Sequence, residues 1–391
     1  MRIRKPAIDR RSLALVGALA ISGACGDGGS KADGAATTDA GTMTGSGATE
    51  TSAETDGGAG TDAGVTADTG VTDEGEDTSG SGTEQGSDSG TDGDPLPALR
   101  GWELTETNTG LAALGLSCDD LEVYTGPSKP DAGTVISERR IESSLDLSNG
   151  DIVIERSCIR PTSVGQGLAV VTTTDFNQCG NDGCVVTSSM VTIRDSDIDG
   201  SLTSQENIAY SCAFQGVGTL ERNHVHDTGS GICFFGTGNT LDAIADGNYV
   251  HDLRAFGDAG TTGSHNESFT IRDFDPSDNP ARRLVVRNNR LDCDSGNDSG
   301  AMFIQAYAGY IDQVRLEGNL LEGNGYQLVL EANGSGYGMN LAAVDNRFSG
   351  TGYGAGYVDD GGQGYGWTTW EDNYVDDPSR PDHRGDPIPS L

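Results

Sequence analysis

The chain has 391 residues and a formal net charge of -36, from 60 acidic against 24 basic side chains, with 59 glycines and 6% aromatic residues. Such a charge repels phosphate backbones, which excludes nucleic acid as a partner. It also disfavours a polyanionic glycan unless cations bridge the two, leaving neutral sugars and calcium-dependent ligands as the easier partners.

Residues 1–25 carry Arg2, Arg4, Lys5, Arg10 and Arg11, then an apolar run from Leu13 to Ile21, then Ser22-Gly23-Ala24-Cys25. That order reads as a secretory signal peptide, with an apolar run short of the roughly 20 residues a membrane-spanning helix needs. The end of the run resembles a bacterial lipobox, with Ser22 where that motif usually has Leu. It implies lipidation of Cys25 and an outer-membrane or cell-surface lipoprotein; ordinary cleavage and secretion is the alternative. Arg10-Arg11 also resembles a twin-arginine export signal. Residues 26–97 hold no aromatic residue and Lys31 as their only base. A segment that cannot bury apolar surface is expected to be a disordered acidic linker, reaching beyond the ~45 Å of a neutral flexible chain of its length.

The rest, residues 98–391, reads as one folded domain of the all-β class. Short apolar strands each lead to an Asn or Ser: Ile152-Val-Ile154 to Ser157, Val191-Thr-Ile193 to Ser196, Leu220 to Asn223, Leu284-Val-Val286 to Asn289, Val314-Arg-Leu316 to Asn319, and Leu341-Ala-Ala343 to Asn346. Weaker copies lead to Asn248 and Asn373. The intervals run from 25 to 41 residues. One such unit cannot close a core, whereas stacked units bury their alternate side chains together. The expected architecture is a right-handed parallel β-helix, a monomeric rod on the order of 40 to 50 Å long at ~4.8 Å per coil. A β-propeller needs longer repeats. The aligned asparagines are expected to stack at a bend and bond neighbouring backbone.

Besides Cys25 the chain has Cys118, Cys158, Cys179, Cys184, Cys212, Cys233 and Cys293. In an oxidising compartment such thiols pair. The expected bridges are Cys179–Cys184, Cys118–Cys158 and Cys212–Cys233, with Cys293 left over; no C-x-x-C spacing suggests structural zinc on these thiols.

Function is expected where coils carry insertions. The longest interval holds His251-Asp252-Leu-Arg254, a Gly-rich loop, and His265-Asn266-Glu267 leading to Arg272; one coil earlier, in the same phase, stands His226-Asp227. Residues 101–377 resemble secreted bacterial β-helix proteins related in architecture to pectate lyases and polygalacturonases, many of which carry an Asn-x-Ile-His-Asp turn followed by His-Thr-Asp-Gly-Ile-Gln. Asn248, His251 and Asp252 match the first element; His265 matches the second, where Glu267 replaces Asp, Ser268 Gly and Thr270 Gln. The resemblance implies action on an extracellular polysaccharide. Asp252 and Glu267 are candidates for a hydrolase carboxylate pair. Alternatively a His of His226, His251 or His265 takes a proton beside a uronate held by Arg254 or Arg272, with Asp227 nearby, in a lyase or epimerase. The opposing expectation is a non-catalytic glycan-binding or adhesive surface protein. Convergence of His226, His251, Asp252, His265 and Glu267 in an open groove favours the enzyme; their separation, or cover by a loop, favours the binder.

Asp195, Asp197, Asp199 and Glu206 have the spacing of a calcium loop. Because Val191-Thr-Ile193 reads as a strand, a helix-loop-helix is not expected, and calcium would sit at a coil corner. Tyr307, Tyr310, Tyr326, Tyr337, Tyr353, Tyr357, Tyr365, Trp367 and Trp370 cluster late in the chain. Such rings stack on sugars or cover the open end of the rod; covering is the expectation.

Overall fold

The computed structural model describes residues 99–391 apart from 181–182, 237–239, 276–278, 307–308, 333–336, 351–352, 363 and 365. Side chains at 176–180, 183–185, 298, 299 and 337 are also outside the description. The signal segment, the linker, Cys25, Tyr307 and Tyr365 therefore lie outside the described residues.

The domain is all-β and forms a parallel β-helix. Each coil lays one strand on each of three sheets, here the first face (nine strands), the second (eleven) and the third (eight). In one coil these strands are Leu284–Arg287, Arg290–Cys293 and Asp298–Ala306; in the next, Val314–Glu317, Leu320–Gly323 and Tyr326–Ala332. Neighbouring coils pair in parallel, with Val286 against Leu316, Leu291 against Leu321 and Ile304 against Leu330. All six side chains are buried in one continuous core. Burial follows the alternation: in Leu284–Arg287, Leu284 and Val286 point in while Val285 and Arg287 point out. Phe214, Phe234 and Phe269 from three successive coils stack edge to face, with centroids 6.1 and 5.2 Å apart.

The bend from first to second face repeats one solution. A residue of positive φ (Arg156, Asp195, Arg222, Gly247, Asn288, Gly318, Asp345, Asp372) precedes the ladder residue. From Asn223 onward each ladder side chain accepts a bond from the backbone N–H of the preceding rung, as Asn289 Oδ1 does from Asn248 N at 2.9 Å. Its Nδ2 donates to a carbonyl of that preceding coil, Ala245 O at 3.0 Å. The asparagines thus bond backbone, as their spacing suggested.

Residues 100–121 run across the outside of the second face. Gly101 N–H donates to Gly318 O (2.9 Å), Arg290 Nη1 to Leu104 O (3.0 Å), Gly110 N–H to Arg222 O (2.9 Å), and Leu111 N–H to Asp197 Oδ1 (3.0 Å). Contact is close enough that a Cβ on Gly101 would lie 2.3 Å from Asn289 O, and one on Gly110 2.1 Å from Asp197 Oδ1. The Cys118–Cys158 disulfide fastens the end of this strap, and Cys212–Cys233 joins neighbouring third-face strands. Cys293 remains a buried thiol whose Sγ lies 3.1 Å from Asn266 O. Cys179 opposes Cys184 in the antiparallel hairpin Thr174–Gly180 and Gly183–Val186, but their side chains lie outside the described residues.

At the C-terminal end, Trp367 and Trp370 pack on the core and Trp370 Nε1 donates to Ile388 O at 2.8 Å. Strand Arg384–Pro387 turns back antiparallel on Tyr374–Asp376. These tryptophans cover the end of the rod.

Candidate functional site

His224-Val225-His226 is a second-face strand whose alternation sends Val225 inward and both imidazoles outward. The next coil places Tyr249 beside His224 and His251 beside His226. Asp227 and Asp252, each at positive φ just past the strand, curl back on their own histidines. Asp227 Oδ2 is 2.8 Å from His226 Nδ1, and Asp252 Oδ2 is 2.9 Å from His251 Nδ1. His224 Nε2 and His251 Nε2 are 2.6 Å apart. Arg254 Nε donates to Asp227 Oδ1 at 2.8 Å. Sequence reasoning missed His224, although the H-x-H spacing on a strand places both rings on one face.

Burial dominates the electrostatics. It pushes His224 down to about 3, helped by the two neighbouring imidazoles, and lowers His251. Burial also opposes charge on His226, but the Asp227 hydrogen bond and the nearby Asp199 carboxylate outweigh it and raise its pKa. Hydrogen bonds from His226 and Arg254 hold Asp227 at about 2 against desolvation. Asp197, buried beneath Leu111, rises to about 6.

The eight residues taken as catalytic candidates divide between two faces. His226, Asp227, His251, Asp252 and Arg254 come together on and beside the second face, where the strap passes over the cluster: Gly110 abuts His224, and a Glu106 oxygen lies within 4.8 Å of ligand atoms of His251 and Asp252. The His251 side chain is only 6% exposed and Asp252 is 73% exposed. Glu267 opens the third-face strand Asn266–Arg272, with Oε2 3.4 Å from Ser230 Oγ. His265 immediately precedes that strand. Arg272 closes it, its guanidinium 5.2 Å from the Phe235 ring. The long insertion leaves the second face and returns on the third at Asn266, whose Nδ2 donates to Gly229 O at 2.7 Å and to Arg254 O at 3.4 Å.

Of the spaced acids, Asp197 and Asp199 share the second-face strand Asp197–Asp199, and the other two lie off it. Asp195 sits at the bend and pairs with Arg222 (2.6 and 2.9 Å). Asp197 accepts from Leu111, Asp199 Oδ1 accepts from Ser201 N at 2.8 Å, and Glu206 is exposed on the short helix Gln205–Ile208. Among the described residues, the groups of three or more with ligand atoms within 4.8 Å are Asp199–His226–Asp227 and Glu106–His251–Asp252.

The third face carries a second polar site. Ile271, Ile304, Leu330 and Val358 turn inward, so Arg272, Gln305, Glu331 and Asp359 form an outward row in register over four coils. Gln305 Nε2 donates to Glu331 Oε1 at 3.2 Å, while its Oε1 is buried with no hydrogen-bond partner and the residue is 5% exposed. Beside this row Tyr326 meets Tyr357 edge-on at 4.7 Å and Tyr353 at 5.4 Å; Tyr353 is 79% exposed. Burial raises Glu331 despite the Gln305 bond, and burial with the nearby Glu331 pushes Tyr357 up to about 12. The signal for this row was a polar residue at the same phase of consecutive strands, in Phe303-Ile-Gln305, Val329-Leu-Glu331 and Tyr357-Val-Asp359.

No protein-family model matches the chain, and no curated protein and no solved structure matches it either.

Proposed function

We propose that the chain is an exported surface protein that binds a neutral extracellular polysaccharide along the third face of its β-helix. The observation that carries this reading is the outward polar row Arg272, Gln305, Glu331 and Asp359, running from buried Gln305 to exposed Asp359, beside the Tyr326–Tyr353–Tyr357 cluster. Aromatic faces stack on pyranose rings, and carboxylate and amide oxygens accept sugar hydroxyls. The local acids and the net charge of -36 turn away polyuronates. The division of the catalytic candidates between two faces favours binding over turnover.

One observation supports a second reading. Glu331 and Asp359 are register partners on adjacent strands, so two carboxylates issue side by side from the third face, as acid and nucleophile must in a glycosidase, and burial raises Glu331 in the direction a general acid needs.

The full exported chain, offered neutral glucans, mannans, galactans and xylans alongside pectate with and without calcium, is expected to retain a neutral polymer and release no reducing ends. Tyr357→Ala is expected to weaken retention roughly 5- to 13-fold, the loss of about 1–1.5 kcal/mol of stacking. Product formation abolished by Glu331→Gln while binding persists would replace the binder with the hydrolase; retention of nothing would end both readings. Membrane attachment through Cys25 belongs to the same proposal. Incorporation of labelled palmitate that persists in Cys25→Ser would count against it. The calcium expectation is tested by the same retention assay run after chelation.

A further inference from the structure

The second-face imidazoles play no part in the glycan reading and carry an inference independent of it. His224, His226 and His251 lie within two adjacent coils, with ring centroids 4.5, 4.8 and 5.8 Å apart. Each ring turns Nδ1 toward a carboxylate: Asp252 at 2.9 Å from His251, Asp227 at 2.8 Å from His226, and Asp197 at 3.9 Å from His224. A proton held at Nδ1 by a carboxylate leaves the lone pair on Nε2, the tautomer that a metal requires. His224 Nε2 and His251 Nε2 lie 2.6 Å apart, close enough to share one proton. A divalent cation that displaces that proton accepts both lone pairs.

From this geometry we propose that His224 and His251 bind one divalent transition-metal ion, of the zinc class, through Nε2, with Asp252 as the outer carboxylate that orients His251 and the His226–Asp227 pair packed beside them. Metal–nitrogen bonds of ~2.0–2.1 Å in tetrahedral geometry separate two nitrogens by roughly 3.3 Å, so the facing pair opens by less than about 1 Å. Glu106 on the strap, whose carboxylate falls within 4.8 Å of His251 and Asp252 ligand atoms, takes a third position, and water completes the coordination. Imidazole donors without thiolates suit zinc, copper and nickel. Calcium prefers six to eight oxygens, so it is not the occupant.

The side chains of His224, His226 and His251 are 13%, 19% and 6% exposed, which shields bound metal from solvent yet leaves an entry beside Asp252.

The test uses the full chain, stripped with chelator and titrated with zinc, then with cobalt(II) as a spectroscopic probe. One equivalent is expected to bind, raise the melting temperature by linkage and give the visible bands of tetrahedral cobalt with nitrogen ligands. Millimolar calcium is expected not to displace it. His224→Gln and His251→Gln are each expected to weaken binding at least ~100-fold. Asp252→Asn, at an exposed position that leaves folding untouched, is expected to weaken it about 10- to 100-fold, as loss of an outer-sphere partner does. No binding of zinc, copper or nickel, calcium preferred over zinc, or affinity unchanged in Asp252→Asn and both glutamine variants would each overturn the proposal.

Discussion

Asn289→Ala tests whether the side-chain ladder holds the coils in register. Asn289 is fully buried. Its Oδ1 accepts from Asn248 N and Nδ2, both at 2.9 Å, and its Nδ2 donates to Ala245 O (3.0 Å), Arg287 O (2.9 Å) and Asn319 Oδ1 (3.1 Å). Truncation strands the Asn248 N–H in a dry bend, weakens the satisfaction of Ala245 O and leaves a small void. A buried group without its partner costs about 1–3 kcal/mol, so the expected loss is about 3–5 kcal/mol, a large share of the ~5–15 kcal/mol typical of a domain. Asn324→Ala is the control, because exposed Asn324 donates to the Asp294 carboxylate at the surface; surface changes of that kind stay within about 0.5 kcal/mol. Urea unfolding followed by far-ultraviolet circular dichroism gives both values. Hydrogen exchange locates the damage, since a stacked repeat can open locally. A loss below about 1 kcal/mol in Asn289→Ala, or one equal to that of the control, would refute the reasoning.

Asp292 is pushed up to about 6 by burial and by Glu322. Between the ordinary carboxylate range and about 6 the folded chain therefore holds a proton that the unfolded chain has released, and stability falls as pH rises through that window. Asp292→Asn is expected to add about 1–2 kcal/mol at pH 7, the unscreened shift of ~3 kcal/mol discounted for partial exposure. At pH 4 it should add almost nothing; equal gains at both pH values would contradict this. Cys118→Ser opens a loop with a sequence separation of 40 residues, worth about 4 kcal/mol in the chain-entropy account. Exchange of the Gly110 and Leu111 amides should rise before that of the core, and uniform exchange would argue against a strap fastened at that point. Phe234→Ala, in the middle of the aromatic stack, is expected to cost about 3–5 kcal/mol in a urea titration.

The repeat was legible because every coil solves the same bend with the same side chain, so Ser157 through Asn373 announce themselves by phase. The Cys118–Cys158 and Cys212–Cys233 bridges were legible for a related reason: stacking brings neighbouring coils together at intervals that spacing reveals. The strap was not legible. Its contacts join residues far apart in the chain, Arg100 with Asn288 at a separation of 188 and Gly101 with Gly318 farther still, and depend on the missing side chains of Gly101 and Gly110, which no period marks. Insertions defeat phase in the same way. Residues 253–265 interrupt the coil between two faces, so Glu267 and His265 start a different sheet from the one that ends at His251. Alternation misled at Asp195 as well, because the bend falls between it and Asp197, directing Asp195 to Arg222 and the other two acids to the second face.

The ladder and the imidazole cluster are mechanically linked, and that link gives a final prediction. Asn223 directly precedes His224, and Asn248 directly precedes Tyr249, so the two rungs joined by the Asn223 N to Asn248 Oδ1 bond at 3.0 Å set the register in which His226 meets His251. A parallel pair that slips by one residue turns its outward side chains inward; even a smaller displacement moves Nε2 atoms that must meet within a few tenths of an ångström. Asn248→Ser, which shortens that rung, is therefore expected to lower both stability and zinc affinity. Asn346→Ser, whose rung precedes Arg347 and Phe348 three coils away, is expected to lower stability by a similar amount and leave zinc affinity unchanged. Urea midpoints and zinc titrations on the two variants separate the effects. If both variants lose stability and both retain full affinity, the rungs hold the core together without positioning the imidazoles.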